Sequence, residues 1–479
     1  MNEESSYISL NIDLQQVITT EQAWHYNIIP KASGSNYVSF YADASKIKNG
    51  FQDELEILFG KKVELAELSP EVIQKTLVKY YRKNNTRNQG VKTADTHKAD
   101  DFLNHLIAEA RQLGSSDIHI EAFEERCRVR IRIDGLLIER YTIGKADYPA
   151  LINKIKIKAH LDIAEKRLPQ DGRIFFESDG SKFDIRVSVL PTLHGEKIVL
   201  RLLNKDSADI DINQLGFSEN ELVNYLEGIK KSHGIVLISG PTGSGKTTTL
   251  YATLKILNKE KTNVLTIEDP IEYTLEGINQ VQLKESIGLT FSSALRTFLR
   301  QDPDVIMVGE IRDGDTAQIA IRAALTGHLV LSTIHTNSAW GTVSRLVDMG
   351  VPPYLLASTL NTSVAQRLIR LLCHDCRKKE PFNEKFFPLH FKPLRPVKEH
   401  YVATGCESCY YTGYKGRRAI YEVIPIDYEL ADNIKNSIFT VGPLLKQKNI
   451  KTLTENAFEM LENGATSVEE VYPILLNNY

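Results

Sequence analysis

The chain has 479 residues, long enough for about three domains of ~150 residues, each with its own core. Its 42% hydrophobic and 25% charged residues are ordinary globular values, and a net charge of −3 with a pI near 6.5 argues against a general nucleic-acid binder. MNEESSYISL at the start is too acidic and polar for a secretory signal, and no apolar run approaches the ~20 residues that span a bilayer. A cytoplasmic protein is expected, reaching any membrane through partners.

Residues 1–82 read as a small α/β domain, in which strand-like YVSFYA and KVELAEL alternate with the helical VIQKTLVKYYRK. Residues 83–97 have almost nothing to bury and read as a linker. A second α/β domain, 98–214, opens with the helix DDFLNHLIAEARQLG. In its ERCRVRIRIDG, Arg126, Arg128, Arg130 and Arg132 alternate with Cys127, Val129 and Ile131, so a strand has one basic and one apolar face. The basic face is either a solvated outer surface or one that meets phosphate or an acidic neighbouring subunit. Residues 215–365 carry the chemistry, 366–425 hold four cysteines, and 426–479 are helical and polar.

GIVLISGPTGSGKTTTLY is an apolar strand, a loop with Gly240-x-x-x-x-Gly245-Lys246-Thr247, then a helix. Around Pro241, which has no N–H to give, the backbone N–H groups of Gly240, Thr242, Gly243, Ser244 and Gly245 can converge on phosphate oxygens, and the helix N-terminus, with Thr248 in its first turn, adds positive potential. Lys246 then reaches the outer phosphates, and Thr247 offers a hydroxyl to Mg²⁺. A nucleoside triphosphate site follows from these residues.

Two later strands end in acids. VIMVGEIRD runs into Gly309 and Glu310, with glycine where most nucleotide hydrolases carry an aspartate. VLTIEDPIEY ends in Glu268, Asp269 and Glu272. Because carboxyl ends of parallel strands line the ligand crevice of such sheets, the missing acidity is expected there. Glu268 would organise the Mg²⁺ shell through water, and Glu310 would polarise the attacking water. LTGHLVLSTIHTNSA places His328 before a strand and His335 after it, two candidates for sensing the γ-phosphate.

Cys373 and Cys376 in CHDC, a 29-residue insert, and Cys406 and Cys409 in CESC are the ligand pattern of a closed, structural Zn²⁺ site. Cys127 lies on the apolar side of its strand and reads as a core residue.

Taken together, SSDIHIE, RLPQDGR, GPTGSGKTTTLY, LTIEDPIEY, LRQDPDVIMVGEIRD, LTGHLVLSTIHTN, AQRLIR and the paired Cys-x-x-Cys resemble the bacterial secretion ATPases of type II secretion and type IV pilus assembly. The resemblance covers about 98–425, and residues 10–82 are more loosely similar to that family's docking domain. It implies a RecA-like P-loop ATPase core, preceded by a PAS-like α/β domain and a small N-terminal α/β domain, with a zinc module and C-terminal helices. It also implies a homohexamer that hydrolyses ATP with Mg²⁺ to drive pilin-like subunits, against an inner-membrane platform protein and a membrane-anchored docking protein. The Gly309-Glu310 pair is a trait of that family. Its phosphate-contacting arginines fall on Arg173, Arg186 and Arg201. The alternatives are a pilus-retraction or DNA-translocating motor of the same superfamily; acidic net charge and the lack of a base-stacking motif count against direct nucleic-acid binding.

Overall fold

The computed structural model describes all residues except 1–6, 9, 35, 44–46, 48, 49, 82–91, 94–98, 179, 180, 204–210, 389, 390 and 477–479. The expected linker, 83–97, falls outside the described residues apart from Lys92–Thr93, a short strand that pairs with Leu136–Ile143.

The first unit is a three-stranded sheet, Ile28–Ser33, Tyr37–Ala42 and Lys62–Glu67, with Tyr37–Ala42 in the middle. The last two strands are parallel, so the helix Phe51–Phe59 serves as their crossover. A second helix, Pro70–Tyr80, starts with proline in its first turn, where the missing N–H costs nothing. Its Ile73 and Leu77 are buried with Phe40 and Leu55.

The second unit is a seven-stranded sheet in the order Lys92–Thr93, Leu136–Ile143, Cys127–Ile133, Asp117–Ala122, Gly195–Leu203, Ser181–Thr192, Gln170–Ser178. Only the first pair is parallel. Helices Ala99–Gln112 and Tyr148–Lys158 join the core on one face, where Leu103, Leu106 and Ile155 are buried with Ile118, Val129, Ile131 and Cys127. The arginines of 126–132 face the other way. Arg128 and Arg130 both bond Glu121, Arg126 bonds Glu139, and Arg132 pairs with Asp117. Acids on neighbouring strands therefore neutralise much of this basic face.

The third unit is the largest. Its sheet runs Asn279–Gln282, Val264–Glu268, Val305–Val308, Leu329–Ile334, Gly234–Ser239, Leu360–Leu372, Tyr414–Pro425. All neighbours are parallel except the last pair. The inner strands read as unbroken apolar runs because both faces are covered. Ile235, Leu237, Ile306 and Val308 face one core; Val236, Ile238, Val305 and Met307 face the other. Residues 366–372 and 414–425, expected within the zinc module, instead complete this sheet. They pair over almost their whole length, which leaves only 373–413 as an insert between the last two strands of the sheet.

That insert holds the cysteines, a two-stranded ribbon (Lys378–Pro381 with Glu399–Val402) and an aromatic cluster of Phe382, Phe386, Phe387 and Phe391. Phe387 and Phe391 pack on Phe458 of the C-terminal helix Leu453–Glu462. The C-terminal segment was expected to be polar. Its helices each bury one stripe, and Phe458, Leu461, Val471 and Tyr472 belong to the motor core.

Candidate functional site

The P-loop strand Gly234–Ser239 delivers the chain to Gly240, and the helix Lys246–Leu257 begins directly after Gly245. Gly240 has φ 153° and runs so close to the neighbouring strand Leu360–Leu372 that a Cβ would lie 2.5 Å from the Gln366 carbonyl. Gly245, at φ 87°, would bring a Cβ within 2.9 Å of Gln366 Nε2. No other residue type fits both demands. Gln366 explains the crowding: its Nε2 donates to the Ser244 carbonyl (2.8 Å), and its Oε1 accepts from Thr249 Oγ1 (3.0 Å). Ser244 is buried, whereas Pro241, Thr242, Gly243 and Thr247 are exposed and Thr248 is half-buried.

Lys246 is 9% exposed and donates to the carbonyls of Gly240 (2.8 Å) and Pro241 (3.0 Å). Burial lowers its pKa, and the Glu310 carboxylate works against that shift. Glu310 leaves the end of Val305–Val308, two strands from the P-loop strand. Burial alone would raise its pKa. Arg312, His335 and Lys246 outweigh burial and hold the carboxyl below its ordinary value, so it is ionised at neutral pH. Arg312 Nη2 donates to Glu310 Oε1 at 2.5 Å, and His335 Nε2 stands 3.5 Å from Glu310 Oε2. Gly309 has a spatial reason too: a Cβ there would press against the Ile267 carbonyl at 3.2 Å.

The acidic strand end divides its labour differently from the sequence expectation. Glu268 is 3% exposed and accepts from Tyr251, from Thr266 Oγ1 (2.6 Å) and from Gln280 Nε2 (3.1 Å). All three partners are protein groups, so Glu268 also fastens the P-loop helix to its neighbouring strands. Asp269, half exposed, is the acid that turns to the site, 3.8 Å from Arg312. Glu272 pairs with Arg186 Nη1 at 3.2 Å across the boundary between the second and third units.

His328 does not belong here. Its Nδ1 contacts the Ala323 carbonyl at 2.9 Å, and its carbonyl receives the N–H of Gly234, at the entrance of the P-loop strand. Six residues of strand, roughly 20 Å, separate that end from the phosphate loop of the same chain. His335, at the exit of the same strand, is the one beside Glu310.

The three second-unit arginines share one line. Arg173 lies opposite Arg186, Arg186 opposite Arg201, and Arg201 opposite Asp117. Directly opposed residues project from the same face, so the resemblance supplied the three residues and register put them in one row. Arg201 bonds Asp117 (3.1 Å), Arg186 holds the Ile271 carbonyl and Glu272, and Arg173 is exposed. Arg173, Phe175, Phe183, Arg186 and residues 271–274 line a cavity of about 530 Å³ between the two units.

The four cysteine sulfurs lie within 4.8 Å of one another, and the 373–406, 376–409 and 406–409 separations are all 3.8 Å. Four thiolates around zinc at ~2.3 Å stand about 3.8 Å apart in a tetrahedron. Backbone N–H groups of Cys406 and Gly413 point at Cys409 Sγ, each at 3.2 Å. The donor set fits a closed zinc site.

Residues absent from the sequence reading complete the site: Arg312 and Tyr251, and the pair Gln366 and Arg367 on the strand next to the P-loop strand. Their signal was position, since AQRLIR continues a strand running parallel to the P-loop strand.

A phosphate loop, a carboxylate two strands away and a strand inserted between them define a RecA-like P-loop ATPase. Residues 92–473 match the family model described as Type II/IV secretion system protein, and the chain belongs to that family. It is 45% identical over 374 residues to the type II secretion system ATPase E of Vibrio cholerae, covering 77% of this chain and 74% of that one. It is 41% identical over 490 residues to the type IV pilus assembly ATPase PilB of Myxococcus xanthus, covering 96% and 86%. Among solved structures, the Legionella pneumophila ATPase DotB shares the fold (TM-score 0.63, 23% identity, 82% of this chain and 100% of that one). The pilus retraction motor PilT with bound ADP also matches, with a TM-score of 0.53 and 27% identity over 78% and 96%. The chain is an ATP-hydrolysing enzyme of the secretion and pilus-assembly class. Among the described residues no helix is long and apolar enough to cross a membrane.

Proposed function

We propose that this ATPase works as a cytoplasmic homohexamer, peripheral at the inner membrane, driving assembly of pilin-like subunits in type II secretion or type IV pilus biogenesis. ATP and Mg²⁺ occupy the P-loop, with Thr247 on the metal and Glu310 orienting the attacking water. Arg173, Arg186 and Arg201 approach the phosphates from the second unit. The single observation that carries this reading is the Arg186–Glu272 ion pair. It already brings the arginine row onto the acidic strand end of the motor.

A guanidinium released from Glu272 can grip phosphate oxygens with two parallel bonds, and loses that grip when the γ-phosphate leaves. Each turnover would then swing the second unit against the motor, and a platform protein in the ring would receive the motion. Residues 1–82 supply the contact to a membrane-anchored docking protein. The tetracysteine insert, together with this extra unit, favours an assembly motor over a retraction or DNA-translocating motor.

Small-angle scattering of the protein with a non-hydrolysable ATP analogue and with ADP tests the swing; identical profiles would overturn it. Zinc analysis should return one ion per chain, and Cys406→Ser should lose it and expose 373–413 to protease.

A further inference from the structure

One cation beside the phosphate loop is unaccounted for. The strand Leu360–Leu372 pairs with the P-loop strand up to Ser239 and Ala365, so the next two residues, Gln366 and Arg367, run alongside Gly240 and Pro241. Successive strand residues point to opposite faces. Gln366 turns inward to brace the loop from Ser244 to Thr249. Arg367 turns the other way and spans two loops. Its Nη1 donates to the Gln366 carbonyl (3.0 Å) and stands 3.2 Å from where a Cβ on Gly240 would be. Its Nη2 donates to the Asn337 carbonyl (3.0 Å), two residues beyond His335.

Charge makes this placement informative. Among the described residues no carboxylate lies within ion-pair distance of Arg367, although it is only partly exposed. The nearest acid behind it, Glu422, is buried and spends its oxygens on the backbone N–H groups of Ala339 (2.8 Å) and Leu453 (3.2 Å). Burial lowers the pKa of both Arg367 and Lys246, and Arg367 adds to the lowering at Lys246. Two desolvated cations thus flank the Gly240 peptide, both hydrogen-bonded only to neutral carbonyls; the buried Glu422 offsets part of the burial of Arg367, as Glu310 does for Lys246. Such a guanidinium is stabilised most by an incoming anion.

We infer that Arg367 contacts the terminal phosphate of ATP bound in its own subunit, giving up the Asn337 carbonyl as it does so and thereby relaying the presence of that phosphate to the loop carrying His335. Arg367 would then discriminate ATP from ADP, independently of the arginines of the second unit. The contact rests on the nucleotide site described above.

Equilibrium binding of ADP and a non-hydrolysable ATP analogue to the full chain decides it, using wild type, Arg367→Gln and Arg367→Lys. Arg367→Gln should bind ADP within about twofold of wild type and the analogue about tenfold more weakly. Arg367→Lys should fall between, keeping charge and losing the fork. Equal weakening of both nucleotides would mean that Arg367 only supports the loop, and unchanged binding of both would mean no contact; either result overturns the inference. Should Arg367→Gln fail to fold, the same comparison on Arg367→Lys decides alone. Wild-type protein that binds neither nucleotide would overturn the P-loop assignment and this contact with it.

Discussion

The motor and the second unit are both rich in charge, yet they hold it in opposite ways. On the motor, Glu268 has three hydrogen bonds and Lys246 two, all to groups of the same unit, and both residues are buried. Along the arginine row of the second unit, Arg173 is exposed, the Arg201 side chain is 57% exposed against Asp117, and Arg186 reaches across to the motor. Fixed charge preorganises chemistry at no cost of rearrangement during reaction. Lightly held charge can exchange partners, which a moving element requires. Under the proposed function, one unit holds the reacting groups and the other exchanges partners.

The strongest way to break this contrast is Glu310→Gln, which should leave ATP binding intact and lower turnover about 10²–10³-fold in a phosphate-release assay. Near-normal turnover would remove Glu310 from the chemistry. The contrast also has an internal exception in Glu121, which is fixed although it lies in the second unit. Burial raises its pKa, but Arg130, Lys197 and Arg128 outweigh burial and hold the carboxyl at about 2. Its folded pKa is therefore below its unfolded value of 4.5, so its contribution is present in full above pH 4.5 and lost as pH falls toward 2. Glu121→Gln should cost about 1–3 kcal/mol in denaturant titrations at pH 7 and clearly less at pH 3. A pH-independent cost would deny the network.

Arg186→Ala should lower turnover about tenfold while leaving the melting temperature within a few degrees, since its partner Glu272 is 38% exposed and water can take over that charge. A large loss of stability instead would make Arg186 a fixed strut and erase the difference between the units. The smallest effect is expected at Asp134, which accepts from the Gly416 N–H (2.7 Å) and pairs with Arg417 across the same boundary. Asp134→Asn should change stability by less than about 1 kcal/mol.

Much of the site was legible because short-range chemistry writes itself into short spans of sequence. A loop of fixed glycines before a lysine, a Gly-Glu strand end and two Cys-x-x-Cys pairs each act within a few residues, so spacing alone exposed them. Residues 240–248, Glu310 and the four cysteines were found that way. Direction along a strand was legible too, as the buried Cys127, Val129 and Ile131 show.

What depended on which strand lies beside which was not legible. Glu268 reads as an acid that ends a strand; that Tyr251 and Gln280, twelve or more residues away, also tie it to the P-loop helix and the next strand was not legible. His328 and His335 look equivalent in sequence, and the direction of one parallel strand put them at opposite ends of the sheet. The zinc module shrank because its flanks belong to one long antiparallel pair, Leu360–Leu372 with Tyr414–Pro425, over distances no local pattern encodes. The alignment of Arg173, Arg186 and Arg201, like the posting of Arg367 beside Gly240, came from register, which packing of the whole sheet sets.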